Sequence, residues 1–200
     1  MSRLPFRDSE GARLGMWLFL FTELLLFGGL FLLYAVYLKR YHHEFAAAGR
    51  AMHLGLGTFN TVILISSSLL VALSVTALQR SERLRGLLFL CGTIFCGLSF
   101  LFNKYLEWHA EISKGIYPGS QLLMTGPPGN SVFYSLYFLT VGLHGLHVLI
   151  GSILLSVVAV KIRQGKVHAD NIIFLENGAL YWHLVDLVWI FIFPLYYLIL

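Results

Sequence analysis

The chain has 200 residues, of which 58% are hydrophobic and 12% charged, with a formal net charge of +4 and a mean hydropathy of +0.76. An average soluble domain carries about 25% charged residues, so a water-soluble fold is excluded and a bilayer must cover much of the apolar surface. The basic excess falls in short clusters between apolar stretches, without interleaved aromatics, which points to lipid headgroups and topology rather than nucleic acid.

A helix needs about 20 residues to cross about 30 Å of hydrocarbon at 1.5 Å per residue. Five stretches meet that length in chain order, at residues 14–38, 54–78, 86–106, 132–160 and 178–200. The expectation is an all-α, polytopic membrane bundle of five transmembrane helices, forming a single membrane domain over residues 1–200. The first stretch is too long for the apolar part of a cleaved signal peptide and ends in Lys39-Arg40, so it should persist as a helix. His42 and His43 then fall in a solvated loop. Asn60, near the start of the second span, and Asn103, near the end of the third, suit an interhelical hydrogen bond. Cys91 and Cys96 lie inside the third span at a spacing that suits packing rather than a disulfide or a CxxC site. Glu107, Trp108, His109 and Glu111 read as a polar external turn. The connection continues through Tyr117-Pro118-Gly119 and Thr125-Gly126-Pro127-Pro128-Gly129, whose prolines break helices.

Orientation follows from basic residues near the spans. Arg3, Arg7, Arg13, Arg80, Arg83, Arg85, Lys161, Arg163 and Lys166 fall on one side, while Lys39, Arg40, Arg50, Lys104 and Lys114 fall on the other. The N-terminus is therefore expected in the cytoplasm and the C-terminus outside. Trp17, Trp108 and Trp182 fall near the expected interfaces, as in an aromatic belt.

Ionisable residues inside a span are expensive and need a partner, a cavity or a change of protonation. Glu23 lies about 14 Å into the first span at 1.5 Å per residue, near the bilayer centre. His144 and His147 share a helix face at i,i+3, beside Gly142, Gly145 and Gly151, which permit close helix approach. His183 and Asp186 repeat the spacing in the last span. A shared polar seam is one expectation, and four roles stay open for it. It could be interhelical hydrogen bonding, proton conduction, metal binding, or contact with lipid or another subunit. Haem-copper catalytic chemistry would need more histidines on several helices, and a dinuclear copper centre would need closely spaced loop thiolates. No phosphate-cradling loop or nucleophile elbow is present to support ATP-driven or acyl-transfer chemistry.

Two segments carry a family resemblance, Gly142-Leu143-His144-Gly145-Leu146-His147-Val148-Leu149-Ile150-Gly151 and Tyr181-Trp182-His183-Leu184-Val185-Asp186-Leu187-Val188-Trp189. Arg13-Leu14-Gly15-Met16-Trp17 leading to Glu23, Asn60-Thr61 and Gly115-Ile116-Tyr117 support them. With these the sequence resembles subunit III of the haem-copper oxidases, over nearly the whole chain. The resemblance implies an accessory subunit with no cofactor on this chain, beside a catalytic subunit I and a subunit II that carry haem and copper. It also implies bound phospholipid, support of proton uptake and a multi-pass location in a bacterial inner membrane. Glu23 matches the family's intramembrane carboxylate at a lipid cleft, and His144, His147, His183 and Asp186 match polar positions of its last two helices. Larger members have seven spans. The first helix here resembles their third, so the preceding pair is expected to be missing.

Glu23 and Phe174-Leu175-Glu176 favour a cytochrome c oxidase. The alternatives are subunit III of a quinol oxidase and an accessory protein of nitric oxide reductase, the latter on the strength of Phe193-Pro194. A stand-alone transporter or proton channel is the alternative from another class, although the paired Gly/Pro-broken spans expected of one are not evident.

Overall fold

A computed structural model describes residues 9–167 and 171–198. The described helices are α1 (Ser9–Arg40), α2 (His42–Arg50), α3 (Leu54–Gln79), α4 (Arg83–Ser113), α5 (Gln121–Thr125), α6 (Pro128–Arg163) and α7 (Ile173–Tyr197). Of these, α1, α3, α4, α6 and α7 are long and apolar enough to cross a membrane, as expected. Most run past the hydropathy boundaries because a helix continues into the headgroup region, where charged side chains meet water or one another. Arg3 and Arg7 of the charge tally, and residues 199–200 of the fifth span, lie outside the described residues.

The turns between helices are built by local chemistry. After α3, Ser81 adopts φ 62°, and its N–H donates to Leu78 O while the Glu82 N–H donates to Ala77 O. This paired closure caps carbonyls that a helix end leaves unpaired. Gly165, at φ 74°, closes α6 in the same way, with its N–H on Ile162 O and the Lys166 N–H on Lys161 O. At the start of α6, Pro128 sits where its missing N–H has no helical partner to lose.

Helices α3, α4, α6 and α7 pack into a four-helix ring, and α1 lies outside it against α6 and α7. Trp182 of α7 organises the ring. Its Nε1 donates to Ser67 Oγ of α3 at 2.9 Å, and its ring fills the space opposite two glycines. A Cβ added at Gly97 of α4 would lie 2.6 Å from the indole, and one at Gly151 of α6 would lie 2.9 Å from it. Trp182 is fully buried, so it belongs to the core and not to the expected interfacial belt. Trp17, by contrast, is 60% exposed on the outer face of α1. Asn103 Nδ2 donates to Asn60 Oδ1 at 2.9 Å, joining α4 to α3 as expected.

Two short helices occupy connections that hydropathy leaves blank. In α2, His42 and His43 are exposed, while Phe45 is buried against Tyr34 and Phe133 with ring centroids 5.3 Å away in both cases. Gly129 allows this approach, because a Cβ there would lie 2.7 Å from the Glu44 Cβ. The outward faces of the long helices carry Leu18, Leu32, Leu69, Phe95 and Ile153, all more than half exposed. On a membrane helix that is the surface that meets acyl chains.

Candidate functional site

Glu23 of α1 and His147 of α6 meet, with Oε2 2.9 Å from Nε2. The other imidazole nitrogen, Nδ1, lies 2.7 Å from the Leu143 carbonyl on its own helix and therefore carries hydrogen and donates. The contact at Nε2 therefore holds one hydrogen between imidazole and carboxyl, and each group satisfies the other away from water. Phe27 lies edge-on to the His147 ring at 5.3 Å and the Tyr181 ring lies 6.4 Å from it, while the Tyr181 hydroxyl donates to the His147 carbonyl at 3.2 Å.

The pair faces a cleft of about 380 Å³ between α1, α6 and α7. Phe19, Ile150, Leu154, Val158 and Phe174 make its walls apolar. At one end Arg13 of α1 is bonded to Glu176 of α7 at 2.9 Å. At the other end of α1 the Tyr34 hydroxyl donates to the Leu195 carbonyl in the last turn of α7. Helix α1 is thus fastened to the ring at three heights, and the cleft opens between fastenings.

The remaining residues singled out in the sequence do not join this pair. His144 is fully buried between Phe100 and Trp189, with ring centroids 5.3 and 5.2 Å away, and neither of its nitrogens has a hydrogen-bond partner among the described residues. His183 lies 2.7 Å through Nδ1 from Ser68 Oγ of α3. Asp186, 4% exposed, reaches Ser67 Oγ only at 3.4 Å, and its Oδ1 has no partner among the described residues. The five residues therefore fall into three settings rather than one seam. The i,i+3 histidines diverge because α6 contacts α1 on one flank and α4 and α7 on the other.

A second polar cluster escaped the sequence reading. Helix α4 continues to Ser113, so Glu107 and Glu111 are buried helix residues rather than parts of an external turn, and Lys104, counted among the basic residues of the outer side, is buried beside them. Lys104 Nζ donates to Glu107 Oε2 at 2.8 Å and to the Tyr197 hydroxyl at 2.5 Å. Glu107 Oε1 accepts from Tyr137 and Tyr197, each at 2.5 Å. The Lys104 ammonium also lies 4.9 Å from the Trp189 ring centroid. Lys104 and Glu107 neutralise each other at i,i+3, so Lys104 is no free topological charge. That spacing, with two tyrosines on neighbouring spans, was the signal available.

Among the described residues no group of three or more His, Cys, Asp or Glu side chains could hold a metal ion. Comparison with known proteins agrees with the architecture. The family pattern for cytochrome c oxidase subunit III matches residues 6–199. A heme-copper oxidase subunit I+III of Aeropyrum pernix is 31% identical over 98% of this chain, which spans 23% of that longer protein. A cytochrome c oxidase subunit 3 of Thermostichus vulcanus is 32% identical over 93% of this chain and 86% of its own length. A cytochrome bo(3) ubiquinol oxidase subunit 3 of Pseudomonas aeruginosa is 30% identical over 96% of this chain and 87% of its own length. The chain, with its five membrane-length helices and its match over nearly every residue, belongs to the cytochrome c oxidase subunit III family, the third subunit of the haem-copper oxidases.

Proposed function

We propose that the chain is an accessory, cofactor-free subunit of a respiratory oxygen reductase of the cytochrome c oxidase type, in a bacterial inner membrane, with its N-terminus in the cytoplasm. It flanks catalytic subunit I, in a complex that includes subunit II, and supports electron transport and proton uptake there. The fused subunit I+III relative supports association with subunit I, since the two share one polypeptide in that protein. Glu23 and the Phe174-Leu175-Glu176 segment favour the cytochrome c type.

One observation carries the reading of the site: Glu23 and His147 form a hydrogen-bonded pair at 2.9 Å in the wall of an open apolar cleft. Such a cleft accepts phospholipid acyl chains, and the pair ties α1 to the ring beside them. Its role is to keep lipid and helices in register next to a catalytic neighbour. Mild-detergent purification with identification of co-purifying chains, haem spectra and lipid content tests the proposal. Co-purification with haem-bearing subunits and retained phospholipid is expected. A chain that purifies alone and supports ion flux in liposomes overturns it, and stoichiometric copper or iron on the isolated chain does so equally. Reporter fusions at the two ends test the orientation, and the reverse polarity overturns it.

A further inference from the structure

Helix α7 shows Phe174, Gly178 and Tyr181 to the Glu23 cleft, and Glu176, Ala179, Leu180 and His183 to a separate groove of about 360 Å³ against α3. We propose that this groove, with the outward face of α3 beside it, seats a transmembrane helix of the haem-bearing catalytic subunit, which hydrogen-bonds His183 Nε2. The identity of the partner rests on the accessory role proposed above. The choice of face rests on hydrogen bonding and depth.

On the other outward faces, Thr22 of α1, Ser99 of α4 and Ser156 of α6 turn their hydroxyls back to carbonyls of their own helices, and Glu23 is bonded to His147. The face made by α3 and α7 differs. His183 is half-buried and lines the groove. Its Nδ1 lies 2.7 Å from Ser68 Oγ, and its Nε2 has no hydrogen-bond partner among the described residues. In either tautomer Nε2 is left with a hydrogen to donate or a lone pair to offer. Ser66, exposed on α3, likewise makes no hydrogen bond to its own helix.

Depth decides what can meet that imidazole. Glu176 bonds Arg13 at the charged end of the span, and from there to His183 the helix rises about 10 Å at 1.5 Å per residue. One leaflet is about 15 Å deep, so lipid at the level of His183 is acyl chain, which offers no hydrogen-bonding group. A polar group left unmet there is costly, and a neighbouring helix can meet it with a side chain of its own. The groove also admits a helix closely, because Ala72 and Ala179 keep its floor low, as small residues do where membrane helices touch. Val62, Ile65 and Leu69, each more than half exposed, extend the contact along α3.

The test uses the protein purified in mild detergent with the chains that accompany it, carrying a photo-crosslinking residue at Leu69 of α3, Leu32 of α1 or Ile153 of α6, all more than half exposed. Mass spectrometry identifies each product. Leu69 should capture the haem-bearing chain, whereas Leu32 and Ile153 should capture lipid. His183→Phe should speed loss of the haem-bearing chain in detergent about fivefold, the scale of one interhelical hydrogen bond in a membrane, and His183→Gln should recover most of the retention. Leu69→Trp, at a position exposed in this chain, should speed the loss as well without lowering the chain's own thermal midpoint. Capture of the haem-bearing chain from Leu32 or Ile153 but not from Leu69 overturns the docking face and leaves the accessory role standing. Unchanged retention in both His183→Phe and Leu69→Trp does the same, as does capture of a second copy of this chain at Leu69. A chain that purifies with no haem-bearing partner removes the accessory role and the docking face together.

Discussion

The Glu23–His147 pair and the Lys104–Glu107 pair both place ionisable groups within apolar helices, yet one lines an open cleft and the other is closed in by rings. Glu23 and His147 rest on each other and one backbone carbonyl, with side chains 13% and 10% exposed. Lys104 and Glu107, 7% and 1% exposed, are bonded to two tyrosine hydroxyls and covered by Trp189. The first pair joins an outlying helix to the ring, and the second joins α4, α6 and α7 within it. Saturated bonding marks a structural lock, whereas sparse bonding beside a cavity leaves a group that can respond to what enters.

Substitution can break that contrast, beginning with the lock. Glu107→Leu leaves the Lys104 ammonium buried without its counter-charge, which should destabilise by about 3–5 kcal/mol, read as a lowered thermal midpoint in detergent and reduced yield. Lys104→Leu combined with Glu107→Leu removes both charges and should recover most of the loss. If the single variant is as stable as wild type, the cluster is not a lock.

At the cleft, Glu23→Gln replaces the carboxyl by an amide that can still bond His147 Nε2, a difference of about 1 kcal/mol. The fold should persist while bound phospholipid or the lifetime of turnover falls. Unchanged lipid content and lifetime would assign Glu23 to helix packing alone.

The last helix supplies two smaller effects. From sequence, Asp186→Leu would be expected to strand buried partners and impair assembly. The structure reduces that expectation, since the Ser67 hydroxyl that reaches Asp186 Oδ2 at 3.4 Å lies closer to Leu64 O, at 2.7 Å, and Asp186 Oδ1 has no partner among the described residues. Asp186→Leu should therefore assemble within about 1 kcal/mol of wild type, measured by thermal midpoint and yield. His144→Phe should be neutral or raise the thermal midpoint, because a ring that makes only aromatic contacts is replaced by one with no polar atoms to bury. A large loss in that variant would reveal a hydrogen-bond partner beyond the described residues.

Spans were legible in the sequence because bilayer thickness sets a length that few other segments meet. Their ends were less so. Hydropathy falls at Lys104 and Glu107, yet the helix continues because those side chains satisfy each other. Residues 42–50 look polar, and only Phe45 and the alanines of His42–Arg50 hinted at a half-buried helix. Within the site, Glu23 and His147 were visible as costly residues in the wrong solvent, but their pairing depends on how α1 lies against α6. His144 shows the limit of spacing arguments. It shares a face with His147 by periodicity, and its neighbours are nonetheless a phenylalanine and a tryptophan from other helices.

The position of Trp182 sets an order in time. The indole touches α3, α4 and α6 but is carried by α7, which leaves the ribosome after all three. The preceding helices must therefore wait in the bilayer around an empty socket, with Gly97 and Gly151 facing a gap that α7 fills. Until then the nascent chain is inserted but not closed, and the interval before α7 arrives is when lipids, insertion factors and proteases meet its interior.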